Sequence, residues 1–181
     1  AKLYGHWITK IYRESYKLFA CSGILFNHES PFRGETFVTK KISMFVGNYL
    51  KEKKRVLVLG NLDAKRDWGH SRDYVESMWK ILQKSKPDDY VISTGKSYSV
   101  RRFAEEAFKN IGIEIKWIGK NLNEKGINNK TKELLIRVDK KYFRPNEVNF
   151  LKGDSKKAKH NLSWKPKISF KQLVKEMIDY E

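Results

Sequence analysis

The sequence has little cysteine, little proline and no long hydrophobic run. Its 181 residues include one cysteine, Cys21, and four prolines. A single cysteine excludes an internal disulfide framework and is typical of a protein kept in a reducing compartment. No apolar run approaches the ~20 residues that a membrane-crossing helix needs. We therefore expect a cytoplasmic protein with no membrane partner.

Acidic residues are also scarce beside basic ones. Lys and Arg total 38 and Asp and Glu total 21, which gives a formal net charge of +17. The basic residues are spread along the chain among acidic ones, and no zinc-ligand spacing or aromatic RNA-binding signature accompanies them. We therefore expect no nucleic-acid partner and no metal site. An anionic small ligand stays open, because a few cations suffice to hold a diphosphate.

The apolar pattern indicates helices that alternate with strands, which is typical of an α/β fold. Helices are predicted around 4–12, 36–51, 71–85, 99–111, 155–163 and 169–178, and strands around 19–26, 55–60, 90–93, 114–118 and 134–138. The run 19–26 is apolar on both faces and predicts a doubly buried strand of a parallel sheet. Ser99 is the predicted cap of its helix. The stretches 27–35, 61–70 and 119–132 are predicted to be polar loops.

A phosphate-binding glycine turn is missing from this pattern. The sequence contains no Gly-x-Gly-x-x-Gly motif and no phosphate loop, although polar loops follow its strands. It also begins without an initiator Met and without a helix cap, so the first residues are predicted to continue a helix already under way. We expect the chain to be part of a larger α/β protein.

Charged residues at strand ends, in turns and on the opening helix are the candidates for chemistry. They are Lys2, His28, Arg33, Arg66, Arg144 and Glu147. Arginine presents a planar fork of donors that matches phosphate oxygens. Arg66 and Arg144 could therefore hold a diphosphate from two segments that are far apart in the sequence.

Several longer runs resemble one known family. They are GILFNHESP at 23–31, RGETFVT at 33–39, GNLDAKRDWGH at 60–70, YFRPNEV at 142–148 and LSWKP at 162–166. Together they resemble the GDP-mannose 4,6-dehydratases, which are extended short-chain dehydrogenase/reductases. The resemblance extends over nearly the whole chain but covers only the carboxyl-terminal half of the family.

The resemblance implies a fold and a division of the chain. It implies the carboxyl-terminal part of an NAD(P)-binding Rossmann-like domain together with a small α/β substrate-binding domain. Residues 1–35 would be the remainder of the cofactor domain, with its catalytic helix, strand and loop. Residues 36–181 would mainly form the nucleotide-sugar domain, with segments around 55–95 returning to the Rossmann sheet. The family also implies a homodimer or homotetramer of the full-length protein.

The implied activity is an internal redox dehydration with NADP. A hydride leaves C4 of GDP-mannose, water is lost across C5 and C6, and the hydride returns to C6. The product is GDP-4-dehydro-6-deoxy-mannose. Two alternatives remain open: a non-catalytic module that binds nucleotide sugars, and a GDP-sugar reductase or epimerase of the same superfamily. The NHESP and RDWGH runs disfavour the second alternative.

The resemblance assigns roles to individual residues. Lys2 matches the lysine of the family's Tyr-x-x-x-Lys pair, whose tyrosine would be the third residue before Ala1. Lys2 is thus the implied catalytic residue, since an adjacent cation lowers the pKa of a phenol. The residues implied to contact NADP are Lys2, His28 and Arg33. Those implied to line the GDP-sugar pocket are Asn27, Val38, Lys41, Arg66, Arg144 and Glu147.

One residue departs from the family pattern. Phe32 stands where family members commonly have a second arginine, in a loop that the family uses near a neighbouring subunit's cofactor. The substitution puts cofactor affinity or subunit contacts in question, whereas Arg33 itself is retained.

Overall fold

A computed structural model of the chain describes residues 1–51, 55–143 and 146–181. It divides into two compact units. The first unit comprises Ala1–His28, Asp67–Lys96 and Lys152–Ser169, and the second comprises Glu29–Arg66, Ser97–Leu151 and Phe170–Glu181. The assignment of a cofactor domain and a substrate domain to residue ranges stays a prediction.

The secondary structure alternates between helices and short strands. The helices are α1 (Lys2–Tyr16), α2 (Val38–Gly47), α3 (Ser71–Leu82), α4 (Val100–Asn110), α5 (Lys156–Leu162) and α6 (Phe170–Asp179). The strands are β1 (Gly23–Leu25), β2 (Asn27–Glu29), β3 (Leu57–Leu59), β4 (Lys65–Arg66), β5 (Trp68–His70), β6 (Tyr90–Ile92), β7 (Tyr98–Ser99), β8 (Ile115–Ile118), β9 (Lys125–Asn128) and β10 (Leu134–Val138). Short 3-10 helices cover Asn121–Asn123 and Lys140–Tyr142.

The first unit is built on two strand pairs. β1 runs parallel to β6, and β2 pairs with β5. Helices α3 and α5 contribute to a core made of Tyr74, Ile81, Tyr90, Ile92, Ala158, Leu162 and Trp164. The indole Nε1 of Trp164 donates to the Asp73 carbonyl at 2.8 Å, so this buried polar atom is satisfied.

The second unit contains a four-stranded mixed sheet in the order β3-β10-β9-β8. β10 is parallel to β3 and antiparallel to β9, and β8 is antiparallel to β9. Strands β4 and β7 form a separate antiparallel pair. Helices α2, α4 and α6 pack together through buried apolar side chains, among them Ile42, Phe103 and Val174.

Two helix predictions in the second unit are confirmed in detail. The Ser99 side chain accepts a hydrogen bond from the Arg102 amide at 3.1 Å and caps α4. The apolar face of α4 is buried, and so is that of α6. In both helices the three-and-four spacing of apolar residues marks the face that packs.

The predicted polar loops are partly wrong, because each contains a strand. The stretch 27–35 contains β2, 61–70 contains β4 and β5, and 119–132 contains β9. β9 lies between β8 and β10 and hydrogen-bonds to both, so its backbone is satisfied although its sequence is polar. Backbone pairing with neighbours distant in sequence, rather than an apolar pattern, makes these segments strands.

The prediction for 19–26 is correct in direction but wrong in length and burial. The strand is parallel, as predicted, but it covers only Gly23–Leu25, and the Ile24 side chain is 45% exposed. Helix α1 likewise buries no residue, and its apolar side chains Tyr4, Trp7 and Ile11 are exposed. A local apolar pattern identifies these elements but not what covers them.

Helix α3 leaves most of its apolar face exposed. Tyr74 is buried, whereas Val75, Met78, Trp79 and Leu82 are exposed. The buried face instead carries Asp73, whose Oδ2 accepts the amides of residues 167 and 168 at 2.9 and 3.0 Å. Among the described residues, no helix combines the length and the apolar character that a membrane crossing requires.

Candidate functional site

The structure distributes the predicted site residues over both units. Lys2, Asn27 and His28 belong to the first unit. Arg33, Val38, Lys41, Arg66 and Glu147 belong to the second unit. The predicted residue Arg144 lies outside the described residues.

Lys2 lies in the first turn of α1. Its side chain is exposed, and it forms no ion pair with any residue that the structure describes. Its ammonium group is therefore available to a ligand or to a side chain placed next to it. Tyr4 is also exposed on this helix, two residues further along. Residues two apart on a helix do not share a face, so Tyr4 does not replace a tyrosine four positions before Lys2.

His28 lies on β2 and is half-buried, and Asn27, also half-buried, precedes it. The imidazole Nδ1 is 3.1 Å from the Phe26 carbonyl oxygen, and the ring stacks on Tyr74 with centroids 5.1 Å apart. A carbonyl only accepts, so Nδ1 is the donor in this contact, and in the neutral ring Nε2 is then an acceptor. This tautomer suits a ligand hydroxyl group, such as that of a ribose.

Arg33 lies in the connection between β2 and α2. Its Nε is 3.1 Å from the Glu29 Oε2, and its Cζ lies 3.5 Å from the centre of the Phe37 ring. Within the described chain, the terminal nitrogens of Arg33 form no hydrogen bond. They present an open fork of donors, which is the arrangement that binds phosphate oxygens.

Lys41 lies on α2 and lines a cavity of about 410 Å³ in the second unit. Its Nζ donates to the Val58 carbonyl at 2.7 Å and lies 3.7 Å from the centre of the Tyr142 ring. The cavity is lined by Glu35, Lys41, Met44, Phe45, Asn48, Arg55, Val56, Leu57, Val58 and Tyr142. Val38 is half-buried one helical turn before Lys41 and is not among these residues.

Gly60 allows Tyr142 to approach the end of β3. A Cβ atom on Gly60 would lie 2.3 Å from the Tyr142 carbonyl oxygen, closer than any real contact of this kind. The position therefore requires glycine because of space rather than backbone conformation. The lining of the cavity combines aromatic rings with cationic side chains and the carboxylate of Glu35.

Arg66 and Glu147 are brought together, although they are 81 residues apart. The Arg66 Nη2 forms an ion pair with the Glu147 carboxylate, and Nη1 donates to the carbonyl oxygens of Lys65 and Val148. Both terminal nitrogens of Arg66 are thus already engaged within the second unit. Its predicted contact with a diphosphate stays a prediction, and it would require these nitrogens to be shared or released.

Asp67 was not singled out in the sequence, although it follows Arg66. Its buried carboxylate accepts from the Thr94 amide and hydroxyl through Oδ1 and from the amides of Gly95 and Gly153 through Oδ2. It therefore ties the segment Asp67–Lys96 of the first unit to the segment Lys152–Ser169. The RDWGH run contained this residue, but its partners are not visible from the sequence.

Three more residues escaped the sequence reasoning. Glu29 and Phe37 hold Arg33, and Tyr142 covers Lys41. All three lie within the family motifs quoted from the sequence, and their place in those motifs is the signal that could have indicated them. No group of three or more His, Cys, Asp or Glu side chains suited to a metal ion occurs in the described ranges.

Comparison with solved structures identifies the fold class. The chain matches RMD from Pseudomonas aeruginosa with a TM-score of 0.79 at 17% identity, over 99% of this chain and 54% of that one. It matches a dTDP-glucose 4,6-dehydratase from Bacillus anthracis with a TM-score of 0.72 at 19% identity, over 97% and 48%. These likenesses show that the chain shares the α/β fold of these two proteins.

Sequence comparison then identifies the family. The profile described as GDP-mannose 4,6 dehydratase matches residues 1–177. GDP-mannose 4,6 dehydratases from Drosophila melanogaster and Homo sapiens are 53% and 54% identical to this chain over 178 residues. The chain belongs to the GDP-mannose 4,6-dehydratase family, as the resemblance predicted. The match covers 98% of this chain but 45% and 48% of those proteins, so the chain spans about half the length of these relatives.

Proposed function

We propose that the chain provides the nucleotide-sugar-binding part and the catalytic lysine of a GDP-mannose 4,6-dehydratase. The observation that carries the proposal is identity of 53–54% with enzymes of that name over 178 residues. The relatives' activity would convert GDP-mannose to GDP-4-dehydro-6-deoxy-mannose in the cytoplasm. From the resemblance we also expect the full-length protein to form a homodimer or homotetramer.

The first unit would contribute Lys2 and His28 to a bound nicotinamide cofactor, for which we propose NADP. RMD was solved with NADPH and the Bacillus anthracis dehydratase with NAD. The donor set fits such a group: the free ammonium of Lys2 and the acceptor Nε2 of His28 suit ribose hydroxyl groups. When bound, NADP supplies reversible hydride transfer. Lys2 would also favour the ionised form of a neighbouring tyrosine, because its positive charge lowers the pKa of a phenol.

The second unit would bind GDP-mannose and the phosphates of the cofactor. Arg33 offers an open fork of donors, as a phosphate contact requires. Lys41 offers a cation beside aromatic rings in the cavity of about 410 Å³. From the family we assign Val38, Arg66, Arg144 and Glu147, together with Asn27 of the first unit, to the substrate as well.

Binding of GDP-mannose to the 181-residue chain tests the proposal. We expect GDP-mannose to bind the parent chain and to bind Lys41→Met about 10-fold more weakly, since the variant keeps the side chain's length but loses a charge-assisted hydrogen bond. Isothermal titration calorimetry measures both affinities. The matched control is Lys156→Met, because Lys156 is 90% exposed and its pair with Asp154 is a surface contact.

The outcomes separate the alternatives. Equal affinity of the parent and Lys41→Met would remove the cavity from the proposed site. Absence of binding by a folded parent chain would exclude a self-sufficient nucleotide-sugar-binding module.

A further inference from the structure

We propose that Glu29 is a positioning residue that fixes the guanidinium of Arg33, so that its terminal nitrogens stay open to a phosphate group of a dinucleotide. The inference rests on the proposed function, which assigns Arg33 to the cofactor. It adds a residue that acts through Arg33 and does not touch the ligand itself.

The carboxylate of Glu29 is buried where β2 ends. Its side chain is 2% exposed, and its Oε2 accepts from the Thr39 hydroxyl at 2.7 Å. The same oxygen lies 3.1 Å from the Nε of Arg33. Burial raises the pKa of Glu29, whereas the Thr39 hydrogen bond and the charge of Arg33 lower it. A charge in this place is costly without a cation, so the pair with Arg33 is a constraint on both side chains.

The nitrogen of the Arg33 guanidinium that Glu29 contacts determines which N–H donors remain for a ligand. A carboxylate can bind an arginine through both terminal nitrogens, which would use up the whole fork. Here the carboxylate lies closest to Nε, next to the aliphatic stem, at an ion-pair distance of 3.1 Å and without the alignment of a hydrogen bond. The Phe37 ring lies 3.5 Å from Cζ and covers one face of the guanidinium. The pair and the ring together fix the plane of the group.

The loop that carries Arg33 is held as well. The Arg33 amide donates to the Ser30 carbonyl at 3.0 Å, and the Nζ of Lys40 donates to the Pro31 carbonyl at 2.7 Å. Phe32, the residue that departs from the family, is 82% exposed and meets the Tyr180 ring edge-on with centroids 5.5 Å apart. A side chain that is ordered before binding loses less conformational freedom when the ligand arrives.

The test compares two substitutions at the same buried oxygen. Glu29→Gln removes the charge that holds Arg33 but keeps the size of the side chain. Thr39→Val removes the hydrogen bond that Oε2 accepts from the Thr39 hydroxyl and leaves the ion pair in place. Nitrogen-15 NMR of the 181-residue chain follows the Arg33 Nε–H signal and its exchange with water. Titration with NADP⁺ of the chain joined to the part of the Homo sapiens relative that it does not cover gives the affinity. Thermal unfolding followed by circular dichroism confirms that each variant folds.

We expect Glu29→Gln to speed exchange at the Arg33 Nε–H and to weaken NADP⁺ binding about 10-fold, the size of a charge-assisted contact. Thr39→Val should leave both readouts close to the parent. Arg33→Lys is a second variant that keeps the charge: its single ammonium would pair with Glu29 and leave no fork, so it should bind NADP⁺ as weakly as Arg33→Ala.

Different results overturn different statements. Unchanged exchange and affinity in Glu29→Gln, or parent-like affinity in Arg33→Lys, refute the role of Glu29. Unchanged affinity in Arg33→Ala refutes the proposed cofactor contact of Arg33, while the Nε–H signal still decides whether Glu29 fixes it. In the Arg33→Ala background, Glu29→Gln should have no further effect on NADP⁺ affinity, and an additional loss would show that Glu29 acts elsewhere.

Discussion

Replacing Asp67 by asparagine should destabilise the chain strongly, although the two side chains have the same shape. The carboxylate is 0% exposed and accepts four hydrogen bonds. One oxygen accepts from the Thr94 amide and hydroxyl, at 2.8 and 2.6 Å, and the other from the amides of Gly95 and Gly153, at 2.9 and 3.2 Å. Whichever way the new side-chain amide is turned, its NH₂ group faces one of these pairs of donors.

The magnitude follows from counting what is left unpaired. With the NH₂ group towards Thr94, the Thr94 amide loses its acceptor, whereas the hydroxyl can turn to the Lys96 carbonyl and accept from the new amide. With the NH₂ group towards the glycines, both of their amides lose their acceptor, and each unsatisfied donor costs about 1–3 kcal/mol. We therefore expect Asp67→Asn to lower the free energy of unfolding by about 2 kcal/mol, which for a chain of this size corresponds to a fall in the melting temperature of about 6 °C. Urea unfolding followed by circular dichroism measures the free energy, and a melting curve measures the temperature.

The matched control is Asp179→Asn. Asp179 is 57% exposed and pairs with Lys175 one turn earlier on α6. Such a surface pair contributes about 0.5 kcal/mol or less, so this control should unfold almost as the parent does. If Asp67→Asn costs no more than Asp179→Asn, the four hydrogen bonds do not hold the first unit together and the reasoning fails.

Further predictions concern space and charge in the first unit. Gly69→Ala should destabilise the chain by about 1–3 kcal/mol, because its Cβ would lie 2.5 Å from the Tyr74 ring. Gly5→Ala on α1, whose Cβ would meet nothing within 4 Å, should stabilise the chain slightly. Urea unfolding measures both changes. Acid should remove the contribution of Asp89, because its bidentate hydrogen bonds with Arg13 lower the carboxyl pKa from 3.8 to about 2. That contribution is complete above the unfolded pKa of 3.8 and is lost as the pH falls through about 2. Asp89→Asn should therefore flatten the pH dependence of the free energy of unfolding in this window. An unchanged pH profile would contradict the stabilising role of the Asp89–Arg13 pair.

The contrast between helices α3 and α4 explains how far the sequence predicted the fold. Both helices were expected from their periodic apolar residues, and in α4 the apolar face is the buried one. In α3 the side chain of Asp73 is buried because amides of residues 167 and 168 donate to it. A partner more than 90 residues away decides this, and a local pattern cannot represent it.

The short strands were not predicted from the sequence for a related reason. β9 pairs on both sides with strands from other parts of the chain, so its hydrogen bonds and not its side chains define it. Local propensity is a weak guide where backbone pairing is set by the tertiary fold.

In the candidate site, too, the sequence indicated individual residues but not the side chains and carbonyl groups that they contact. Arg33 and Lys41 were named from the family resemblance, and the chain places each beside an aromatic ring. The resemblance did not indicate that Glu29 would hold Arg33 or that Val58 would accept from Lys41. Those partners depend on side-chain directions that exist only in the folded chain.

The mass of the product tests the central claim most directly. A chimera would join this chain to the part of the Homo sapiens relative that it does not cover, and would be incubated with GDP-mannose and NADP⁺. We expect a product lighter than GDP-mannose by one water, and loss of turnover in Lys2→Ala. A product of unchanged mass, or one heavier by two hydrogens, would indicate epimerisation or reduction and would contradict the proposed dehydration.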